Sequence, residues 1–216
     1  LVDIAVMHLG ATAFSVYNTS SAEQANHLFR NAGNRIVVTE RQFLPRVLES
    51  RTAEIEHIVL VDGAEAGTMT LQDLARLRAP GFDFDAAWRA VQPDDVVTLI
   101  YTSGTTGPSK AVQLTHGSVL FQTRGVAAML GLQAGGRSIS YLPSAHVGDR
   151  CLTHYGASLC FGNSVTSIPD HRQVGLALVE VRPTVFGGVP RVWEKLKAGL
   201  EAAGVTEPAK LPEQVK

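Results

Sequence analysis

The segment Val96-Val97-Thr98-Leu99-Ile100-Tyr101-Thr102-Ser103-Gly104-Thr105-Thr106-Gly107-Pro108-Ser109-Lys110 passes without a break from an apolar run into a string of small polar residues. The run Val96–Tyr101, rich in β-branched and aromatic side chains, predicts a buried strand. Residues 102–110 then hold five hydroxyl side chains, two glycines, one proline and one lysine. That is the chemistry of a phosphate cradle. Gly104 and Gly107 allow φ > 0, so that backbone N–H groups can point inward. Ser103, Thr105 and Thr106 offer hydroxyl donors, and Lys110 brings a mobile positive charge. The motif is not a Walker A loop, which needs four residues between its first glycine and a Gly-Lys pair followed by Ser or Thr. Here Gly104 and Gly107 are three apart and Lys110 follows Ser109. A flexible Gly/Ser/Thr linker between two strands is the competing reading. Ligands in parallel α/β sheets gather where strands end, which favours the cradle.

Working outward, strand and helix patterns alternate along the chain. This is the signature of βαβ units around mainly parallel sheets, an α/β fold. Ala13–Tyr17 reads as a strand, and Ser20-Ser-Ala-Glu23 as a capping box opening a helix to Asn31, ended by Gly33. Arg35–Thr39 and His57–Val61 are short β-branched strands around a helix near Phe43–Ser50. Thr70-Leu-Gln-Asp73 opens a helix closed by Pro80, and 81–93 reads as an irregular connection carrying Trp88 and a soft subdomain boundary. After the cradle, Ala111–Leu114 is a return strand, and Thr115-His-Gly-Ser118 caps an apolar helix over 119–130. Ser138–Leu142, Asn163–Ile168 and Pro183–Phe186 are further strands, separated by helices at about 147–161 and Gln173–Val181. Pro190 opens the last helix, where its missing N–H costs nothing. The chain starts at Leu1 within an apparent helix.

Composition narrows the classes. With 216 residues, 45% hydrophobic and 18% charged, the chain can bury a sizeable core. A net charge of −1 leaves no nucleic-acid footprint. No apolar run approaches the roughly 18 residues that cross a bilayer, and the first residues lack the basic start of a signal peptide. Cys151 and Cys160 are too few for a disulfide framework and read as small buried hydrophobes. A cytoplasmic location, compatible with peripheral membrane contact, is the expectation.

Three segments carry a resemblance. Tyr101-Thr-Ser-Gly-Thr-Thr-Gly-Pro-Ser-Lys-Ala-Val112 is similar to the signature of the acyl-adenylate-forming (AMP-binding) superfamily of acyl-CoA synthetases, luciferases and nonribosomal adenylation domains. The usual form is Tyr-Thr-Ser-Gly-Thr-Thr-Gly-x-Pro-Lys-Gly-Val. Ser109 therefore frees a φ that proline would fix, and Ala111 adds a methyl where glycine is normal. Tyr141-Leu-Pro-Ser-Ala-His-Val-Gly-Asp-Arg150 resembles the family's next motif, with Asp149 in place of a glutamate. Phe186-Gly-Gly-Val-Pro-Arg-Val-Trp-Glu-Lys195 looks like the segment bordering the acyl tunnel of long-chain members. Together they resemble the fatty-acid–CoA ligase branch.

The resemblance implies an incomplete large N-terminal domain over 1–216. No adenine and ribose motifs, no catalytic C-terminal lysine and no C-terminal domain are found in the sequence. It implies that Thr102, Ser103, Gly104, Thr105, Thr106, Gly107 and Lys110 meet the ATP phosphates, with Lys110 catalytic. Thr105 and Thr106 would lie near Mg2+. His146 would sit beside the carboxylate to be activated, and Gly187, Gly188 and Trp193 would border the acyl chain. The remaining histidines, His8, His27, His57, His116, His154 and His171, show no metal spacing and read as structural; His116, close behind the cradle, is the least settled of them. The implied activity is AMP-forming fatty-acid–CoA ligation, with fatty acid, ATP and coenzyme A as partners. A fatty acyl-AMP ligase serving a carrier protein and a truncated non-catalytic remnant are the alternatives.

Overall fold

The computed structural model describes residues 1–77, 79–102 and 107–204. They form two compact units, Leu1–Gln122 with Pro143–Val147, and Thr123–Leu142 with Gly148–Lys216. The stretch 81–93 lies inside the first.

The first unit starts with helix α1 (Val2–His8) and strand β1 (Ala13–Phe14), then α2 (Ala22–Ala32), β2 (Ile36–Thr39), α3 (Leu44–Glu49), β3 (His57–Leu60) and β4 (Met69–Thr70). Short helices α4 (Leu71–Arg76) and α5 (Phe84–Ala90) lead to β5 (Val96–Thr102) and β6 (Lys110–Thr115). Two sheets result. In one, β2, β3 and β4 pair in parallel, as the expected βαβ units require. In the other, β5 pairs in parallel with β1 and antiparallel with β6. The β-branched residues of β2 and β3 supply much of the core. Val37, Ile58 and Leu60 pack with Ala25 and Phe29 of α2, Leu44 and Val47 of α3, and Ile55. Each fully buried aliphatic side chain of this kind is worth about 1.5–3 kcal/mol.

Helix α6 (His116–Leu130) follows β6 and runs on into the second unit. There, β7 (Arg137–Ser140) and β8 (Ser164–Ser167) pair in parallel around a π-type helix, Gly148–Cys160, and are followed by α7 (Val174–Val181) and α8 (Pro190–Ala202). Wide winding shows at the π-type helix's end, where the Phe161 N–H reaches the Gly156 carbonyl five residues back. Ile139, Tyr141, Ile168, Val174 and Ala177 make the core. The Arg137 guanidinium closes the end of α7 by donating to the carbonyls of Val181 and Arg182. A Cβ at Gly136 would clash with the Thr184 hydroxyl, which accepts from the Arg137 N–H, so a larger residue there would force Thr184 to shift.

The structure corrects several boundaries. The α2 capping box is Ser21 with Gln24, not Ser20 with Glu23: Gln24 N–H donates to Ser21 Oγ (3.2 Å) and Ser21 N–H to Gln24 Oε1 (2.9 Å). Gly33 ends this helix as expected, left-handed at φ +61. Helix α4 has its Thr70–Asp73 box but stops at Arg76, because Leu77 leaves the helical region at φ −71, ψ 85. The stretch 81–93 contains α5, started by Asp83 accepting from the Ala86 N–H at 2.9 Å. Pro183–Phe186 is not a strand. Pro183 has no N–H to give a ladder, and Thr184 uses its hydroxyl as well as its backbone to pair with Arg137. Cys151 is buried as expected, whereas Cys160 is exposed.

Candidate functional site

The apolar run and its polar continuation form one β-hairpin. Val97, Thr98 and Ile100 are buried, and Thr98 ties β5 to β1 through a 2.7 Å bond from its hydroxyl to the Ala13 carbonyl. Tyr101 faces Ala111, and Thr102 faces Lys110 as the last pair before the tip. Thr102 and Lys110 thus stand side by side at the base of the loop, both exposed. Gly107 takes φ +88, a backbone state that residues with a Cβ adopt at a cost of roughly 1–2 kcal/mol. Ser103, Gly104, Thr105 and Thr106 lie outside the described residues. Lys110 has no acidic side chain paired with it among the described residues.

Helix α2 lies against this hairpin. The Tyr101 hydroxyl is 2.9 Å from Asn31 Oδ1 and 3.3 Å from the Leu28 carbonyl. Burial holds the Tyr101 phenol above its ordinary pKa, so it stays a proton donor. Just ahead of β6, His27 Nε2 lies 2.9 Å from the Ser109 carbonyl. A carbonyl only accepts, so Nε2 carries the hydrogen. A pocket of about 610 Å3 is lined by His27, Asn31, Leu99, Ser109, Lys110 and Gln113. His27 reads as structural from sequence, and no local pattern connects it to a loop 82 residues away.

His146 follows the Leu142-Pro143 turn, half-buried, its backbone N–H donating to the Pro143 carbonyl at 2.8 Å. His116 opens α6, and burial pushes its imidazole below the ordinary value against the opposing pull of Asp95. Its Nε2 is buried without a hydrogen-bond partner among the described residues. No group of three His, Cys, Asp or Glu side chains among the described residues is placed to hold a metal ion.

The third set of expected residues gathers in the second unit. Tyr141 stacks on Phe186 with ring centroids 5.6 Å apart, and Trp193 meets Phe186 edge-on at 5.4 Å. The Tyr141 hydroxyl donates to the Gly187 carbonyl at 3.2 Å, and Trp193 Nε1 to the Gly188 carbonyl at 3.0 Å. Two rings therefore hold the Gly187-Gly188 backbone, and Phe186 packs between them. A Cβ on Gly188 would stand 3.0 Å from Trp193 Nε1 and 3.4 Å from the Tyr141 hydroxyl, whereas one on Gly187 would meet nothing within 4 Å. Trp193 remains 49% exposed. Tyr141 and Phe186, absent from the expected site, are the residues that orient this group.

Comparison with known proteins decides the family. The family model for the AMP-binding enzyme matches residues 1–215.

The chain belongs to the AMP-binding enzyme family.

Among AMP-binding relatives, one from Mycobacterium tuberculosis, whose name fatty-acid–CoA ligase fadD11 is itself provisional, is 53% identical over 136 residues, 62% of this chain and 24% of its own length. The long-chain-fatty-acid–CoA ligase ACSBG2 of Xenopus laevis is 29% identical over 94% of this chain and 30% of its own. The chain thus spans about a quarter to a third of the length of the curated relatives it matches. The fold agrees with that of solved AMP-binding enzymes. The inhibitor-bound N-terminal domain of FACL13 from Mycobacterium tuberculosis superposes with a TM-score of 0.70 at 22% identity, covering all of this chain and 50% of that one. ATP-bound MatB from Rhodopseudomonas palustris gives 0.75 at 20%, covering 99% and 39%. The mixed α/β architecture with mainly parallel pairing is that of this family's N-terminal domain.

Proposed function

We propose that this chain supplies the ATP-phosphate contacts of an AMP-forming long-chain fatty-acid–CoA ligase. The observation that carries the reading is the β5–β6 hairpin, which sets Lys110 opposite Thr102 at the base of a Gly- and hydroxyl-rich loop. Names of the relatives, fatty-acid–CoA ligases among them, supply the substrate class. The ligase activity is proposed for a polypeptide of the relatives' length that carries this segment.

In the first half-reaction a fatty carboxylate oxygen attacks the α-phosphorus of ATP in line. The bond to the β,γ-pyrophosphate breaks, giving acyl-adenylate. In the second, the coenzyme A sulfur attacks the acyl carbon, the acyl C–O bond to AMP breaks, and the thiol proton passes to solvent, giving thioester and AMP. Negative charge concentrates on the leaving pyrophosphate. Lys110 offsets it, and a preorganised donor in such a site is worth about 3–4 kcal/mol. Mg2+ would neutralise phosphate oxygens when bound. Its proposed neighbours Thr105 and Thr106 lie outside the described residues, and no step is routed through the ion. We assign His146 to orienting the carboxylate, and Gly187, Gly188 and Trp193 to the acyl chain. No helix among the described residues is long and apolar enough to cross a membrane.

The test is pyrophosphate release from ATP with a long-chain fatty acid, with and without coenzyme A. Fatty-acid-dependent release, followed by thioester when coenzyme A is added, is the expected result. Release that never leads to thioester would overturn the ligase reading in favour of transfer to another acceptor.

A further inference from the structure

Helix α2 holds the phosphate hairpin on each side of its loop, at Tyr101 of β5 and at Ser109 just ahead of β6. His27 and Asn31 are four residues apart and so lie on one face, about 6 Å from each other along the axis. Paired strands run roughly 4.8 Å apart, so successive turns of one helix can reach both. Ahead of the loop, the Tyr101 hydroxyl meets Asn31 Oδ1 at 2.9 Å; behind it, His27 Nε2 meets the Ser109 carbonyl at 2.9 Å. The second bond bears directly on Lys110. The Ser109 carbonyl and the Lys110 N–H share one planar peptide unit, so fixing the oxygen fixes the direction in which the Lys110 backbone leaves. Serine at 109 leaves a free φ at this very point, and the His27 bond restrains it from outside.

We propose that His27 is a positioning residue for the phosphate loop, holding the Ser109–Lys110 peptide in place while Asn31 holds Tyr101 on the opposite strand. This rests on the reading of the loop as an ATP-phosphate site. The two bonds keep the loop base in one arrangement before ATP arrives. The ordering cost of binding falls accordingly.

Equilibrium ATP binding by a polypeptide of the relatives' length that carries this segment tests this, with the thermal midpoint recorded for each variant. His27→Phe keeps a ring but removes the donor, and Tyr101→Phe removes the hydroxyl. Each is expected to raise the Kd for ATP about fivefold, the effect of one net hydrogen bond. His27→Gln, whose side-chain N–H reaches the same carbonyl, is expected to bind within about twofold of the unaltered chain. A purely structural role would not be rescued in this way. If His27→Phe lowers the midpoint enough to compromise folding, the Tyr101→Phe and His27→Gln arms decide. Lys110→Ala separates the two readings. Binding that Lys110→Ala weakens but His27→Phe and Tyr101→Phe leave intact overturns the positioning role alone, as does His27→Gln binding as weakly as His27→Phe. No ATP binding, or none that depends on Lys110, overturns the phosphate reading and the positioning role with it.

Discussion

Replacing Gly188 by alanine, with Gly187→Ala as its neighbour control, separates packing from backbone effects in the ring cluster of the second unit. A methyl at 188 would stand 3.0 Å from Trp193 Nε1 and 3.3 Å from Cε2, tighter than most side-chain carbons pack, so the indole must give way. The backbone cannot relieve this contact cheaply, because the same residue's carbonyl accepts the indole N–H. Trp193 is half exposed, so it can swing out. Doing so forfeits its edge contact with Phe186, roughly 0.5–1.5 kcal/mol, and its hydrogen bond, again roughly 0.5–1.5 kcal/mol. Alanine recovers about 0.4–1 kcal/mol by restricting the unfolded chain, since neither glycine has positive φ. The net expectation for Gly188→Ala is a loss of about 1–2 kcal/mol in urea unfolding and a red-shifted native Trp emission. Gly187→Ala meets nothing and should be neutral or slightly stabilising. Equal effects at the two positions, or no change at 188, would refute the account of the ring cluster.

Three further outcomes follow from particular residues. Ser21→Ala removes the α2 cap and should cost about 1 kcal/mol by urea unfolding, with Ser21→Asn close to neutral. Burial depresses the folded-state value of His116 below its ordinary 6.5, so the unfolded chain binds the proton more readily. Stability should therefore fall as pH drops below about 6.5 towards the folded value, and His116→Gln should flatten that limb of a Tm-against-pH curve. Cys160 is exposed and Cys151 buried, so a thiol reagent followed by mass spectrometry should label Cys160 first in the native state. Burial raises the Cys151 thiol, and partial desolvation that of Cys160, above the ordinary range, so labelling at neutral pH should be slow and quicken as pH rises.

How far the sequence could be read depended on whether a signal was local. The run Val96–Tyr101 and its polar continuation specify strand, turn and return strand within twenty residues, and the hairpin formed where expected. Pro190 opened α8 for the same reason. The α2 cap was ambiguous by one residue because Ser20 with Glu23 and Ser21 with Gln24 both satisfy the capping pattern; geometry selected the second. Helix α5 hid behind Pro80 and Gly81, and only Asp83 marked its start. Thr184, Val185 and Phe186 have strand-like side chains, but pairing depends on a partner's backbone, which Pro183 cannot supply with an N–H. His27 was illegible for a different reason: its role arises from a bond spanning 82 residues, and nothing in its neighbourhood announces that. The same holds for the stacking of Tyr141 on Phe186, which gives Gly188 its packing role.

The central claim is that Lys110 at the base of the hairpin loop contacts the phosphates of ATP. Titrating ATP into a polypeptide of the relatives' length that carries this segment, and into its Lys110→Ala variant, tests it most directly. An exposed ammonium about 4 Å from a phosphate gains between roughly 1 kcal/mol in water and 4 kcal/mol at a protein surface. At least a tenfold weaker Kd, about 1.4 kcal/mol, is therefore expected for Lys110→Ala, with an unchanged thermal midpoint. Equal affinity in the two proteins would contradict the claim.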